Sequence, residues 1–167
     1  LEKQYFTSWF RLDHVDRYLI WITTEPETVL LEKEGLIPIF SSEVSLATYA
    51  QNKGIELVNE QPLLLHLDSV IEWTQSPDNP IDCQECLTAW NFYSDVALSV
   101  RRSFKGDQEG KIRNRIYEKL FYGNNICGMT PDGEYYIPQW STIERRILAE
   151  ILMDGEAIFR QHLLEIS

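Results

Sequence analysis

Apolar and polar positions change rhythm near the middle of the chain. Gln4–Leu12 and Arg17–Thr24 are rich in aromatic and β-branched residues, and they flank a polar break at Asp13–Asp16. This pattern predicts a hairpin with a loop longer than the tightest turns. In the second run Tyr18, Ile20 and Ile22 alternate with Leu19, Trp21 and Thr23, so apolar groups lie on both faces. Such a strand belongs at the centre of a sheet, covered on both sides. Glu25-Pro26-Glu27 ends it. A further strand is expected at Leu36–Phe40, where Pro38 points to an edge or irregular position because it lacks a backbone N–H. Ser41-Ser42 then caps a helix of about a dozen residues, with Gly54 placed to end it in a left-handed conformation. Ile55–Val58 and Leu63–Leu67 read as short strands, and Asp68 as the cap of a brief helix bearing Val70, Ile71 and Trp73.

Beyond the loop Ser76–Pro80 the period becomes helical. Asp82 and Glu85 have the spacing of a capping box. Cys86, Ala89, Trp90, Tyr93, Ala97, Val100 and Phe104 then recur every three or four residues. After a break at Gly106–Gly110, Lys111–Tyr122 predicts a basic amphipathic helix, with Ile112, Ile116 and Leu120 inward. Residues 123–139 form a loop of unusual aromatic content. Ser141 and Glu144 make a second capping box, and the last helix is expected to run to near Leu164. Strands first and helices afterwards predict one α+β domain over residues 1–167: a mostly antiparallel N-terminal sheet with a helical C-terminal half packed on it.

Charge sharpens the picture. The 167 residues carry a net charge of −11, and the acid is not evenly spread. Between positions 43 and 95, Glu43, Glu56, Glu60, Asp68, Glu72, Asp78, Asp82, Glu85 and Asp95 face Lys53 alone, whereas 101–122 is basic. An acidic field of this kind repels phosphate backbones and anionic lipid, and it draws cationic partners inward. Neither nucleic acid nor membrane is therefore an expected partner. The basic stretch Arg101, Arg102, Lys105, Lys111, Arg113, Arg115 and Lys119 is expected to pair internally. No apolar run approaches a membrane span and no signal peptide is apparent, which makes the cytoplasm the expected compartment.

Catalytic signatures are sparse. Cys83-x-x-Cys86 has redox spacing, but Asp82 and Glu85 disfavour a thiolate and Cys86 falls on the buried stripe. A zinc site would need two further ligands from Cys127, His14, His66 and His162, which have no paired spacing. The cysteines and histidines are thus read as structural, with no metal and no cofactor. Phosphate loop, dinucleotide fingerprint, zinc-protease His pair and nucleophile elbow are all missing from the sequence.

Two stretches carry a resemblance. They are Asp82-Cys83-Gln84-Glu85-Cys86-Leu87-Thr88-Ala89-Trp90-Asn91-Phe92-Tyr93-Ser94-Asp95-Val96-Ala97, and Tyr117–Asn125 continuing through Thr130-Pro131-Asp132-Gly133-Glu134 to Pro138-Gln139-Trp140-Ser141. Over about a third of the chain they resemble small bacterial immunity proteins of polymorphic toxin systems, including contact-dependent growth inhibition. The resemblance implies no enzyme. It implies a stoichiometric inhibitor that covers the active site of a cognate toxin domain, often a nuclease. Nuclease clefts are cationic because they hold phosphates, so carboxylates can stand in for the substrate. A ribonuclease is the favoured toxin. The expected contacts are Glu60, Asp68, Glu72, Asp78, Asp82 and Glu85, with Tyr135 and Tyr136 from the aromatic loop. The alternative is a hydrolase or metal-dependent enzyme whose Asp, Glu and His groups are assembled only by the fold.

Overall fold

Both long apolar runs form strands, β1 (Tyr5–Leu12) and β2 (Val15–Ile22), in the computed structural model, which describes residues 2–167. They pair in register from Tyr5↔Ile22 to Leu12↔Val15, so the turn holds only Asp13 and His14. Both are left-handed, with φ of 55° and 62°. The turn is therefore the tight two-residue kind that matches strand twist, and the longer loop expected from Asp13–Asp16 is corrected. Left-handed backbone is uncommon without glycine, though Asp and His tolerate it better than most residues, and here the turn is held from outside. Asp68 holds it: its carboxylate accepts the N–H groups of Asp13 and His14 at 2.7 and 2.8 Å. Arg160 clamps the Asp13 carboxylate with two bonds of 2.7 and 2.8 Å. Asp68 is thus a turn anchor, and the expected helix cap at this position is corrected. The cap is His66, whose Nδ1 accepts from Ser69 N–H at 3.2 Å.

Four shorter strands complete the sheet: β3 (Thr28–Val29), β4 (Ile37–Phe40), β5 (Leu64–His66) and β6 (Leu163–Ile166). Their order is β5-β1-β2-β4-β6, with β3 also on β2. Pairings β1–β2, β2–β3 and β2–β4 are antiparallel, while β1–β5 and β4–β6 are parallel. The class is α+β, with a mixed sheet. Pro38 is not on an edge, because β4 lies between β2 and β6. Its position is irregular all the same. Only Tyr18↔Phe40 pairs between β2 and β4, and the Ile20 carbonyl farther along β2 is taken by Leu30 N–H at 2.8 Å, so Pro38 has no paired partner on β2. Ile55–Val58 is not a strand; only an isolated parallel bridge, Tyr5↔Leu57, forms in it.

The helices are α1 (Glu43–Asn52), α2 (Leu67–Gln75), α3 (Cys83–Val100), α4 (Lys111–Gly123) and α5 (Thr142–Arg160). Ser42 caps α1, and Gly54 takes a φ of 69° just beyond it. The last helix stops at Arg160 and the chain re-enters the sheet as β6, correcting the expected end near Leu164. Strand β2 is central and covered on both faces. Leu19 joins Phe10, Ile37 and Ile39 in the main core beneath α2–α5, while Ile20 packs with Phe40, Leu46 and Ala50 beneath α1. Three layers result. Within the main core α3 and α5 lie close, because Gly155 has no Cβ to meet the Tyr93 ring.

One buried carboxylate ties the helical layer together. Glu144, only 2% exposed, closes the capping box of α5 with Ser141. It also accepts bonds from Arg115 Nε and Lys119 Nζ of α4, both at 2.9 Å. Burial alone would raise its pKa. The bonds from Lys119, the Ser141 backbone and Arg115 outweigh that and hold it at about 2. Because the folded-state value lies below the ordinary one near 4.5, its stabilisation is full above that pH. It is lost as pH falls toward 2. Glu144→Ala should cost about 3 kcal/mol in urea denaturation at pH 7. It should also flatten the fall in wild-type stability between pH 5 and 2.

Candidate functional site

The acidic residues expected to make one surface have different neighbours in the fold. Glu72 on α2 and Asp78 in the following loop are exposed and lie outside the grooves described below, and Asp68 is occupied by the hairpin turn. Asp82 caps α3, accepting Glu85 N–H at 3.0 Å. Glu85 does not reciprocate, because its Oε2 accepts from Ser69 Oγ at 2.6 Å. The expected capping box here is thus a simple cap. Asp82, Tyr135 and Tyr136 do come together. With Cys83, Trp140 and Arg145 they line a groove of about 750 Å³ between the start of α3 and the 123–140 loop. Tyr135 is 80% exposed, whereas Tyr136 lies edge-on to Tyr122 and is clipped by two backbone bonds to Asn125.

Glu60 and Glu85 fall on the other flank of α3, in a longer depression. Its floor is the end of the hairpin that the helices leave uncovered: Phe6 and Ser8 of β1 and Trp21 of β2, with Phe6 and Trp21 rings 5.7 Å apart. One wall is α3 through Thr88, Asn91, Phe92 and Asp95. The other is the segment 60–65, which the parallel β1–β5 pairing lays beside β1. This cavity of about 560 Å³ shares Asn91 and Asp95 with a second of about 640 Å³, bounded by Glu2, Gln4 and Thr23–Glu27. Toward the start of α3 a third, of about 220 Å³, shares Leu64, Leu65 and Thr88 and includes His66 and Glu85. The three make one groove along α3. Six carboxylates line it (Glu2, Glu25, Glu27, Glu60, Glu85 and Asp95), and no Lys or Arg is among its lining residues.

Asp95 stands where the two larger cavities meet. Burial lifts its carboxyl to about 7, and the neighbouring charges of Glu27 and Asp107 push the same way. The Trp21 Nε1–H bond to Oδ2, at 3.2 Å, opposes them without prevailing. The basic stretch is placed elsewhere. Arg115 and Lys119 pair with Glu144, and Arg113 lies over the Trp90 and Tyr117 rings at 5.3 and 5.2 Å. Part of the expected internal pairing therefore exists, but its partner lies in α5.

Cys83 and Cys86 sit on the first turn of α3. Burial pushes both thiols up, Cys86 to about 12, with Asp82 adding to each. Cys83 packs directly against Gly123, and Cys127 is exposed. No group of three or more His, Cys, Asp or Glu side chains is arranged to hold a metal among the described residues. His162 bonds the Ile158 carbonyl through Nδ1 at 2.7 Å, and exposed His14 lies 3.7 Å from Asp68. No helix among the described residues is long and apolar enough to cross a membrane.

Two outcomes are expected. With a limiting alkylating agent at pH 7.5, mass spectrometry should find Cys127 modified first and Cys86 only on unfolding. Asp95 has a folded-state pKa above its ordinary value near 3.8, so its presence lowers stability as pH rises from about 4 to 7. Asp95→Asn should therefore match wild type at pH 4 and exceed it at pH 8. Allowing for the carboxyl's partial exposure, the gain is about 1 kcal/mol, or ~2–4 °C in Tm.

No family model matches the sequence, and no curated protein matches it. The fold is similar to that of the SatS C-terminal domain, solved as a crystal structure in complex with bromine. The TM-score is 0.58 over 98% of this chain and 94% of that one, at 12% sequence identity.

Proposed function

We propose that this chain is a stoichiometric binding protein for a cationic protein partner, acting as an immunity protein that neutralises a cognate toxin domain. The observation that carries the reading is the groove along α3, with six carboxylates and no cation among its lining residues. A toxin that cleaves RNA or DNA presents Lys and Arg where phosphates bind, and these are the groups such a groove attracts. Rim carboxylates such as Glu25, Glu27 and Glu60 steer the encounter. The aromatic floor supplies apolar contact once water is displaced. The second groove, with exposed Tyr135, is the natural place for a further contact.

A second reading has one observation in its favour. Asp95, lifted to about 7 in a cleft, has the pKa of a general acid–base group at neutral pH. Under that reading the chain hydrolyses a substrate bound in the groove.

The test is first genomic, a neighbouring reading frame for a large secreted protein with a toxin-like C-terminus being expected, and then uses the C-terminal domain of that protein. A one-to-one complex and loss of that domain's nuclease activity are the expected results. Glu25→Lys, Glu27→Lys and Glu60→Lys together should slow association about tenfold at low salt, and wild-type association should slow as salt rises. Undiminished nuclease activity at excess chain would overturn the proposal. Turnover of RNA, DNA or esters by the chain alone, abolished by Asp95→Asn, would put the enzyme reading in its place.

A further inference from the structure

We propose that the junction of the two larger cavities is a receptor for an arginine side chain of the partner, whose guanidinium lies against the Trp21 ring and bonds the Asp95 carboxylate. The inference rests on the reading that the groove takes a cationic protein, and it names the group that enters.

The first argument is the state of Asp95. A carboxylate withdrawn from water normally has a cation or several donors to hold it. Asp95 accepts one bond within the chain, from Trp21 Nε1 to Oδ2. Oδ1 accepts none among the described residues, and the charges acting on the group, Glu27 and Asp107, are both acidic. The groove's lining residues include no Lys or Arg to fill the gap. The fold thus leaves a half-buried carboxylate at the meeting of two cavities without a counter-charge, and a partner's cation completes the pair.

The second argument selects arginine over lysine. The surfaces beside Asp95 are aromatic: Phe6 and Trp21 of the floor, tilted at 55°, and Phe92 of α3. A planar, weakly hydrated guanidinium stacks on such rings and still presents N–H groups in a fork to a carboxylate. An ammonium entering the same space would shed tightly held water and offer only a point charge. This fold already places a guanidinium on an indole, in Arg113 over Trp90 at 5.3 Å. Glu60 at one end of the groove and Glu2, Glu25 and Glu27 at the other favour further basic residues flanking the anchoring arginine. Leu63, 90% exposed on the rim, offers an aliphatic surface for the stem.

Hexa-arginine and hexa-lysine serve as probes at low salt, with calorimetry for affinity and the Trp21 indole N–H resonance, assigned through Trp21→Phe, for position. Hexa-arginine should bind wild type, move that resonance, and bind Asp95→Asn about tenfold more weakly. Hexa-lysine should bind wild type several-fold more weakly, and Asp78→Asn, outside the groove, should change neither affinity by as much as twofold. Equal affinity for the two peptides, or an Asp95→Asn variant that binds as wild type does, would overturn the arginine receptor. If Glu25→Gln, Glu27→Gln and Glu60→Gln then still weaken hexa-arginine, the cationic-partner reading stands without it. If neither peptide binds wild type, both are overturned.

Discussion

Strand β2 carries apolar side chains on both faces, and most of the architecture follows from the need to cover both. Ile20 requires a layer on one side, which the short helix α1 provides with Leu46 and Ala50. Leu19 requires one on the other, which α2–α5 provide around Trp90, Tyr93 and Phe159. Burial of this kind contributes roughly 25 cal/mol per Å² of apolar surface, so neither face can be left to water without loss of the fold. The hairpin's far end is where coverage runs out. There Phe6 and Trp21 are only partly buried, and the segment 60–65 and α3 rise on either side of them. The groove is what remains when a long hairpin is roofed by helices that stop short of its end.

The ionic groups divide into those the fold uses and those it leaves. Asp68, Asp13 and Arg160 fix the left-handed turn of the hairpin to α2 and α5, and Glu144 fixes α5 to α4. These charges are partnered and stabilising. Glu2, Glu25, Glu27, Glu60 and Asp95 are gathered along one groove whose lining holds no cation. The net charge of −11 is therefore a poor guide by itself. What matters is that much of the basic side-chain population is spent on internal bonds, so the groove's field faces outward undiminished.

The long elements were legible in the sequence because period and capping agreed. The hairpin strands, the central place of β2, the Ser42 and Ser141 caps and the helical second half all follow from residue pattern. The tight turn was not, since the Asp68 and Arg160 groups that hold Asp13 and His14 in it lie far along the chain. Strand β3 has two residues and β6 follows α5 after a two-residue break, too little length for a period of two to declare itself. The candidate site was half legible. Glu60 and Glu85 stood out in the acidic stretch. Glu2, Glu25 and Glu27 did not, because only folding brings the end of β2 beside α3, and Asp95 looked like one acid among nine.

Asp95 is also where the demands of fold and function separate. An amide at that position would keep the Trp21 hydrogen bond and spare the fold the penalty of a desolvated charge. A carboxylate there weakens the isolated protein at neutral pH, and it gains only when a cation arrives. Local stability and binding then pull in opposite directions at one residue, a conflict expected at sites built for a partner rather than for the core. Glu144 is the counter-example within the same chain. It is more deeply buried than Asp95, yet it is stabilising because Arg115, Lys119 and the Ser141 backbone already stand around it. The difference between the two acids is not depth but whether the chain supplies the cation itself.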